Sequence, residues 1–159
     1  MRRQNPIITT ILLSFTLLGS RVVAADEHQL LGTWAVEASK LNMPNAPKGV
    51  TITLSEVGSG KYKMSVDIID HDGQASHGEG VFKPDGTPSP AIGSLDVDIV
   101  SMTMPSRKIL VMGAGMAGMP SSTRVFSLSD DGKHMIETVI RHGEKGVPIT
   151  RVDIWDRKK

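Results

Sequence analysis

The chain has no cysteine. That excludes disulfide staples, a thiol nucleophile and an acylated cysteine anchor, so hydrophobic burial has to carry stability. Aromatic residues are nearly as scarce, with two Trp, one Tyr and three Phe in 159 residues. Each aromatic is therefore a major packing element. There is no charge excess, because 18 Lys and Arg face 17 Asp and Glu. No basic stripe argues for nucleic acid, and Lys158-Lys159 is only a short basic end. Beyond the N-terminus no apolar run is long enough to cross a bilayer. No G-x-S-x-G elbow is present.

The first apolar run has the anatomy of a secretory leader. Arg2 and Arg3 precede an apolar segment from Ile7 to Leu18, and Val22-Val23-Ala24-Ala25 offers small residues at a cleavage point. Residues 1–24 are read as a signal peptide, cut after Ala24 or Ala25, and residues 25–159 as one domain. Arg2, Arg3 and Arg21 leave with the leader, which turns the balance of the mature chain acidic. The expected location is periplasmic or secreted, with no membrane span once the signal is removed.

The remainder reads as short strands punctuated by turns. Val50, Ile52 and Leu54 alternate with Thr51, Thr53 and Ser55. Tyr62, Met64, Val66 and Ile68 alternate with Lys61, Lys63, Ser65 and Asp67, the cleanest period of two in the chain. Further strands are expected over residues 31–37, 77–83, 95–104, 108–112, 123–129, 135–142 and 148–156. Gly58-Ser59-Gly60, Asp72-Gly73, Asp85-Gly86, Asp131-Gly132 and Glu144-Lys145-Gly146 fall between them, with the positive φ that tight hairpins need. The Pro-rich stretches 40–49 and 84–93 are read as loops, since Pro44, Pro47, Pro84, Pro88 and Pro90 break a helix. The pattern predicts an all-β fold, a single antiparallel up-and-down β-barrel of eight or nine strands. A two-sheet sandwich remains the alternative, because a period of two does not separate the two architectures.

Gly32-Thr33-Trp34 opens the first strand and resembles the lipocalin and calycin signature. The resemblance implies that Trp34 plugs one end of a barrel and that a basic residue near the last strand packs across it. Arg151 and Arg157 are the candidates, Arg151 being the one assigned. The second lipocalin motif, Thr-Asp-Tyr, is absent. A nearer likeness, over about residues 30–157, is to small exported bacterial lipocalin-like domain proteins of unknown function. It rests on Gly-Thr-Trp with Ser39-Lys40-Leu41-Asn42, Asp70 to Gly73 with His77, Asp85-Gly86, Gly93 with Asp96, Thr123 to Ser127, and Asp130 to Lys133. It implies a fold and carries over no catalytic residue.

Three motifs invite chemistry. Gly113 to Gly118 matches G-x-G-x-x-G, with Glu137 about 20 residues on. The fingerprint needs a helix opening among the glycines, and Pro120 and a strand pattern follow instead, so a turn or bulge is expected. Met102, Met104, Met112, Met116 and Met119 cluster, which suits either copper(I) or a plastic apolar lining. Met112 joins Met102 and Met104 on one face in only one of two registers. His71, His77 and Glu79 gather around one hairpin, whereas His134 and His142 lie about 27 Å apart on an extended strand. No metal site and no cofactor are assigned. Among acids, Asp67, Glu79, Asp96, Asp98, Glu137 and Asp153 fall on candidate strands, with Arg124, Arg141 and Arg151 as partners. An outward salt-bridged face is the expectation, and an inward acid–base set the alternative.

The functional expectation is a small, apolar molecule bound within the barrel by Met64, Met102, Met104, Phe82 and Phe126. Gly78 and Gly80 on the Phe82 face leave room for it. Two alternatives share the scaffold: a small-molecule enzyme using inward acid–base residues, and a Met/His copper-binding envelope protein.

Overall fold

Alternation along each strand separates an apolar side from a polar one, and the chain meets that pattern by wrapping its strands around a common interior. The structure is a computed structural model that describes residues 28–37, 40, 41, 43, 45–142 and 146–159, with the backbone alone for Glu37 and His142. The leader read at residues 1–24, together with Ser39, Asn42, Pro44, Glu144 and Lys145, lies outside the described residues. So does the side chain of His142.

Ten strands follow one another: β1 (Gly32–Glu37), β2 (Gly49–Glu56), β3 (Tyr62–Ile69), β4 (Ala75–Phe82), β5 (Ser89–Gly93), β6 (Ile99–Ser106), β7 (Ile109–Met116), β8 (Met119–Leu128), β9 (His134–His142) and β10 (Pro148–Arg157). Each pairs antiparallel with its neighbour in sequence. β1 also pairs with β10, through Trp34 opposite Arg157 and Ala35 opposite Asp156, and this closes the barrel. Closure leaves no free sheet edge. The sandwich alternative is thereby excluded.

The strand count corrects the expected eight or nine. The added strand is β5, inside the segment read as a Pro-rich loop. It is short and thinly held, with three aligned pairs to β4 and two to β6. Pro90 has no N–H to give a ladder, so such a weakly paired strand is where a sheet tolerates it. The strand expected over 95–104 begins later, at Ile99, because residues 94–98 turn the chain.

The G-x-G-x-x-G stretch is a hairpin. β7 runs through Gly113 and Gly115, and Ala117 (φ 52°) with Gly118 (φ 79°) makes a two-residue turn into β8. Positive φ at both central residues is the type I′ geometry that matches strand twist. The Asp98 carboxylate accepts the Ala117 N–H at 2.8 Å and fixes that turn.

One end of the barrel is packed shut. Trp34 is fully buried, and its indole N–H donates to the Leu30 carbonyl at 2.8 Å. Leu30, Leu54, Leu110, Phe126 and Met135 surround it. The guanidinium carbon of Arg157 sits 4.1 Å from the Trp34 ring centroid, a cation–π contact. Arg157 also donates to the carbonyls of Leu31 (2.8 Å), Gln29 (2.6 Å) and Gly132 (2.9 Å). This corrects the assignment of Arg151 as the residue across Trp34. Arg157 lies directly opposite Trp34 in register, whereas Arg151 is six residues upstream, toward the other end.

Candidate ligand cavity

The far half of the barrel interior is hollow. A cavity of about 510 Å³ lies within the span of small-molecule sites, roughly 300–1,000 Å³. Its two sides differ in chemistry. β2, β3, β6 and β7 supply an apolar wall that includes Ile52, Met64, Val66, Val100, Met102 and Met112. Met102 and Met112 are cross-strand partners, so the register places both inward. Gly80 lines the cavity without a side chain. The gap over Gly78 is filled by Leu95, whose Cδ1 lies 2.7 Å from where a β-carbon would stand.

β8, β9 and β10 supply a polar wall. Glu137 is completely buried, and its Oε1 takes Arg124 Nη1 at 2.6 Å. Its Oε2 accepts the Trp155 indole N–H at 3.1 Å. Glu137 and Asp153 are cross-strand partners on β9 and β10. Asp153 Oδ2 receives Arg151 through Nε (2.8 Å) and Nη2 (2.7 Å). Arg151 Nη1 also approaches the Met43 sulfur at 3.0 Å. Asp153 Oδ1 is buried and has no hydrogen-bond partner among the described residues. Arg141 stands at the solvent-exposed margin of the cavity and forms no hydrogen bond or ion pair with a described residue. Burial, and then the positive charges of Arg124 and Arg151, push its pKa below the ordinary guanidinium range, with Glu137 and Asp153 opposing.

Met64, Met102 and Phe126 line the cavity. Two other residues expected there do not. Met104 is half-buried against the core, and Phe82 is buried in the closed half, stacked on Tyr62 at 6.0 Å between centroids. The outward salt-bridged face expected for the acids holds for Asp67 and Glu79, which join Lys63 and His77 outside β3 and β4. It fails for Glu137 and Asp153, which point inward with all three arginines. Met112 and Trp155 also line the cavity and were not singled out as contacts. His71 contacts Asp72 in the β3–β4 turn at 3.2 Å, apart from the His77 pair. Among the described residues no three His, Cys, Asp or Glu side chains converge as a metal site would require.

No known family matches the chain, and no curated protein matches it. Among solved structures, a point mutant of the fluorescent protein UnaG is similar. It shares 16% identity at a TM-score of 0.50, over 82% of this chain and 97% of that one. The two share the outline of a closed antiparallel β-barrel. At that identity the likeness speaks for architecture alone, and the contents of the cavity have to be argued from its own walls.

Proposed function

We propose that this calycin-type barrel is an exported carrier that binds a small, largely apolar molecule in its cavity. The cavity itself carries the reading. About 510 Å³ of internal space is retained beside a core that packs tightly around Trp34. Close packing is the rule in protein interiors, so a hollow of this size beside Met64, Met102 and Met112 is a feature to be explained. Thioether side chains adapt to ligands of different outline. The cavity also has a polar side, so the molecule carries one polar end.

The enzyme alternative draws on the two inward carboxylates. Both oxygens of Glu137 are engaged, by Arg124 and Trp155, and the Asp153 oxygen nearest Arg151 takes two of its nitrogens. That arrangement suits anchoring better than proton delivery.

Trp155 lines the cavity and Trp34 does not, so Trp34→Phe leaves one reporting indole. Titration with an apolar probe is expected to change Trp155 emission saturably, and native mass spectrometry of protein from its own cells to show a co-purifying organic mass. Failure of every apolar probe to perturb Trp155, with a bare chain mass, would sink the carrier reading. Export is read by the N-terminal residue of the isolated protein. Cleavage after Ala24 or Ala25 supports it, and an intact Met1 refutes it.

A further inference from the structure

Two polar groups of the cavity wall lack hydrogen-bond partners among the described residues, and they are opposite in kind. Asp153 Oδ1 is an acceptor with no donor among the described residues, on a residue 2% exposed that lines the cavity. Arg141 is a cation with five donors and no described acceptor. An unpaired buried carboxylate oxygen is costly and calls for a partner. The remaining charges on the wall do not answer Arg141, because Glu137 is held by Arg124 and Asp153 by Arg151. On the β8–β10 wall three guanidinium groups thus face two carboxylates. Of the other acids that line the cavity, Glu79 is held by Lys63 and Asp96 is exposed on the 94–98 turn, and the unmatched positive charge of the wall is the one nearest solvent. Both groups belong to the β9–β10 pair, where Arg141 is opposite Ile149 and Asp153 is opposite Glu137.

We propose that the ligand is an apolar-tailed acid with a hydroxyl or amide N–H beside its carboxylate, the carboxylate meeting Arg141 and the donor meeting Asp153 Oδ1. The proposal rests on the carrier reading and adds the head group to it. A plain alkyl acid answers Arg141 alone, and an alkyl alcohol answers Asp153 alone. A β-hydroxy or N-acylamino acid answers both, while its tail lies along Met64, Val66, Val100 and Met102. Charge-assisted bonds to each group are the strong kind, so loss of either costs affinity out of proportion to the atoms removed.

Four probes of one chain length separate these contributions by titration calorimetry on the full chain: dodecanoate, its β-hydroxy derivative, its β-fluoro derivative and dodecanol. The β-fluoro acid is nearly isosteric with the hydroxy acid and has no donor. The β-hydroxy acid is expected to bind about tenfold or more tighter than the β-fluoro acid, and dodecanoate about tenfold or more tighter than dodecanol. Arg141→Met should abolish or invert the second ratio and leave the first. Asp153→Asn should shrink the first and leave the second as large or larger, since dodecanol loses its acceptor. Because each variant is read through a ratio of ligands, a purely structural disturbance would not reproduce this crossed pattern. Should Asp153→Asn not fold, the hydroxy-to-fluoro ratio in the unmodified protein and the Arg141→Met result still decide. Chains that bind without discriminating between heads overturn the proposal and leave the carrier reading in place. Absence of binding by all four overturns both.

Discussion

Replacing Arg124 with Met tests whether the polar wall is a buried ionic structure or an adjustable, solvated surface. Glu137 has no exposed surface, and Arg124 Nη1 lies 2.6 Å from its Oε1. Removing the guanidinium leaves the carboxylate one donor, the Trp155 indole at 3.1 Å. Breaking a buried pair from one side costs about 3–5 kcal/mol, mostly the burden of a charge left without compensation. The Arg124 side chain is 22% exposed and lines the cavity, so water can partly replace it, and about 3 kcal/mol is expected. That corresponds to a fall in melting temperature of roughly 10 °C for a chain of this size. Glu137→Gln removes the offending charge, keeps an acceptor for Trp155 and should restore much of the loss in the Arg124→Met background. The double-mutant cycle is then expected to show a coupling of about 2 kcal/mol or more. Urea unfolding at neutral pH, followed by far-ultraviolet circular dichroism, avoids relying on Trp155, whose own environment changes. An Arg124→Met cost below about 1 kcal/mol, or a cycle that closes additively, would refute the idea that this wall is desolvated.

Arg157→Ala removes the cation over Trp34 and strands three carbonyl oxygens, and should cost about 2–3 kcal/mol, with collapse of the near-ultraviolet Trp dichroism. A near-neutral result would return the closing role to some other residue. Gly93→Ala combines φ of +127° with a β-carbon pressed onto the His77 carbonyl oxygen and 2.7 Å from the Gly78 α-carbon. A loss of about 3 kcal/mol or failure to fold is expected, and wild-type melting would contradict it. His77 is bonded to Asp67 (2.7 Å) and Glu79 (3.4 Å), and both bonds hold its pKa above the ordinary 6.5. A raised folded value means that its stabilising contribution is present below 6.5 and fades as pH rises through the folded pKa. Its imidazole resonances should therefore titrate above 6.5 and move back toward it in Asp67→Asn; an unmoved midpoint would show that the carboxylate is not the cause.

The parts of the fold legible in the sequence are those where local chemistry and the tertiary answer agree. β3 alternates cleanly because its inner residues meet the core and its outer ones meet water. The Asp70 to Gly73 turn is written in residues that build it, with Asp70 Oδ1 accepting the Asp72 and Gln74 N–H groups at 2.9 and 2.8 Å. β5 was illegible because a strand need not show strand chemistry when its neighbours complete it. Ser89–Gly93 offers one polar position, Ser89 between two prolines, and only Ala91 and Ile92 as apolar residues, and it is a strand because β4 and β6 would otherwise leave an open seam.

The site was obscured by a conflict of parity on β9 and β10. Along β10, Val152 and Ile154 alternate with Arg151, Asp153 and Trp155, and simple hydrophobic reasoning turns the first pair inward. The structure does the reverse. Val152 and Ile154 are 58% and 49% exposed, while Asp153 and Trp155 are 2% and 3% exposed. Ile136 and Ile140 on β9 face outward with them, in register with Ile154 and Thr150. The choice follows from what else the register has to bury. Trp155 is the largest side chain on the strand, and it shares its face with Arg157, which must reach Trp34, and with Asp153, which meets Arg151 and faces Glu137. Inverting β10 would bury two medium aliphatics and expose an indole, and it would strand Glu137 without its Trp155 donor. A strand pair that turns aliphatic residues to water in order to bring Glu137, Asp153 and Arg151 inside has accepted a packing loss. Cores do not need such groups, whereas a site that must grip the polar end of an apolar molecule does. The same inversion that hid the wall from sequence reading is thus the strongest structural argument that the wall has a ligand.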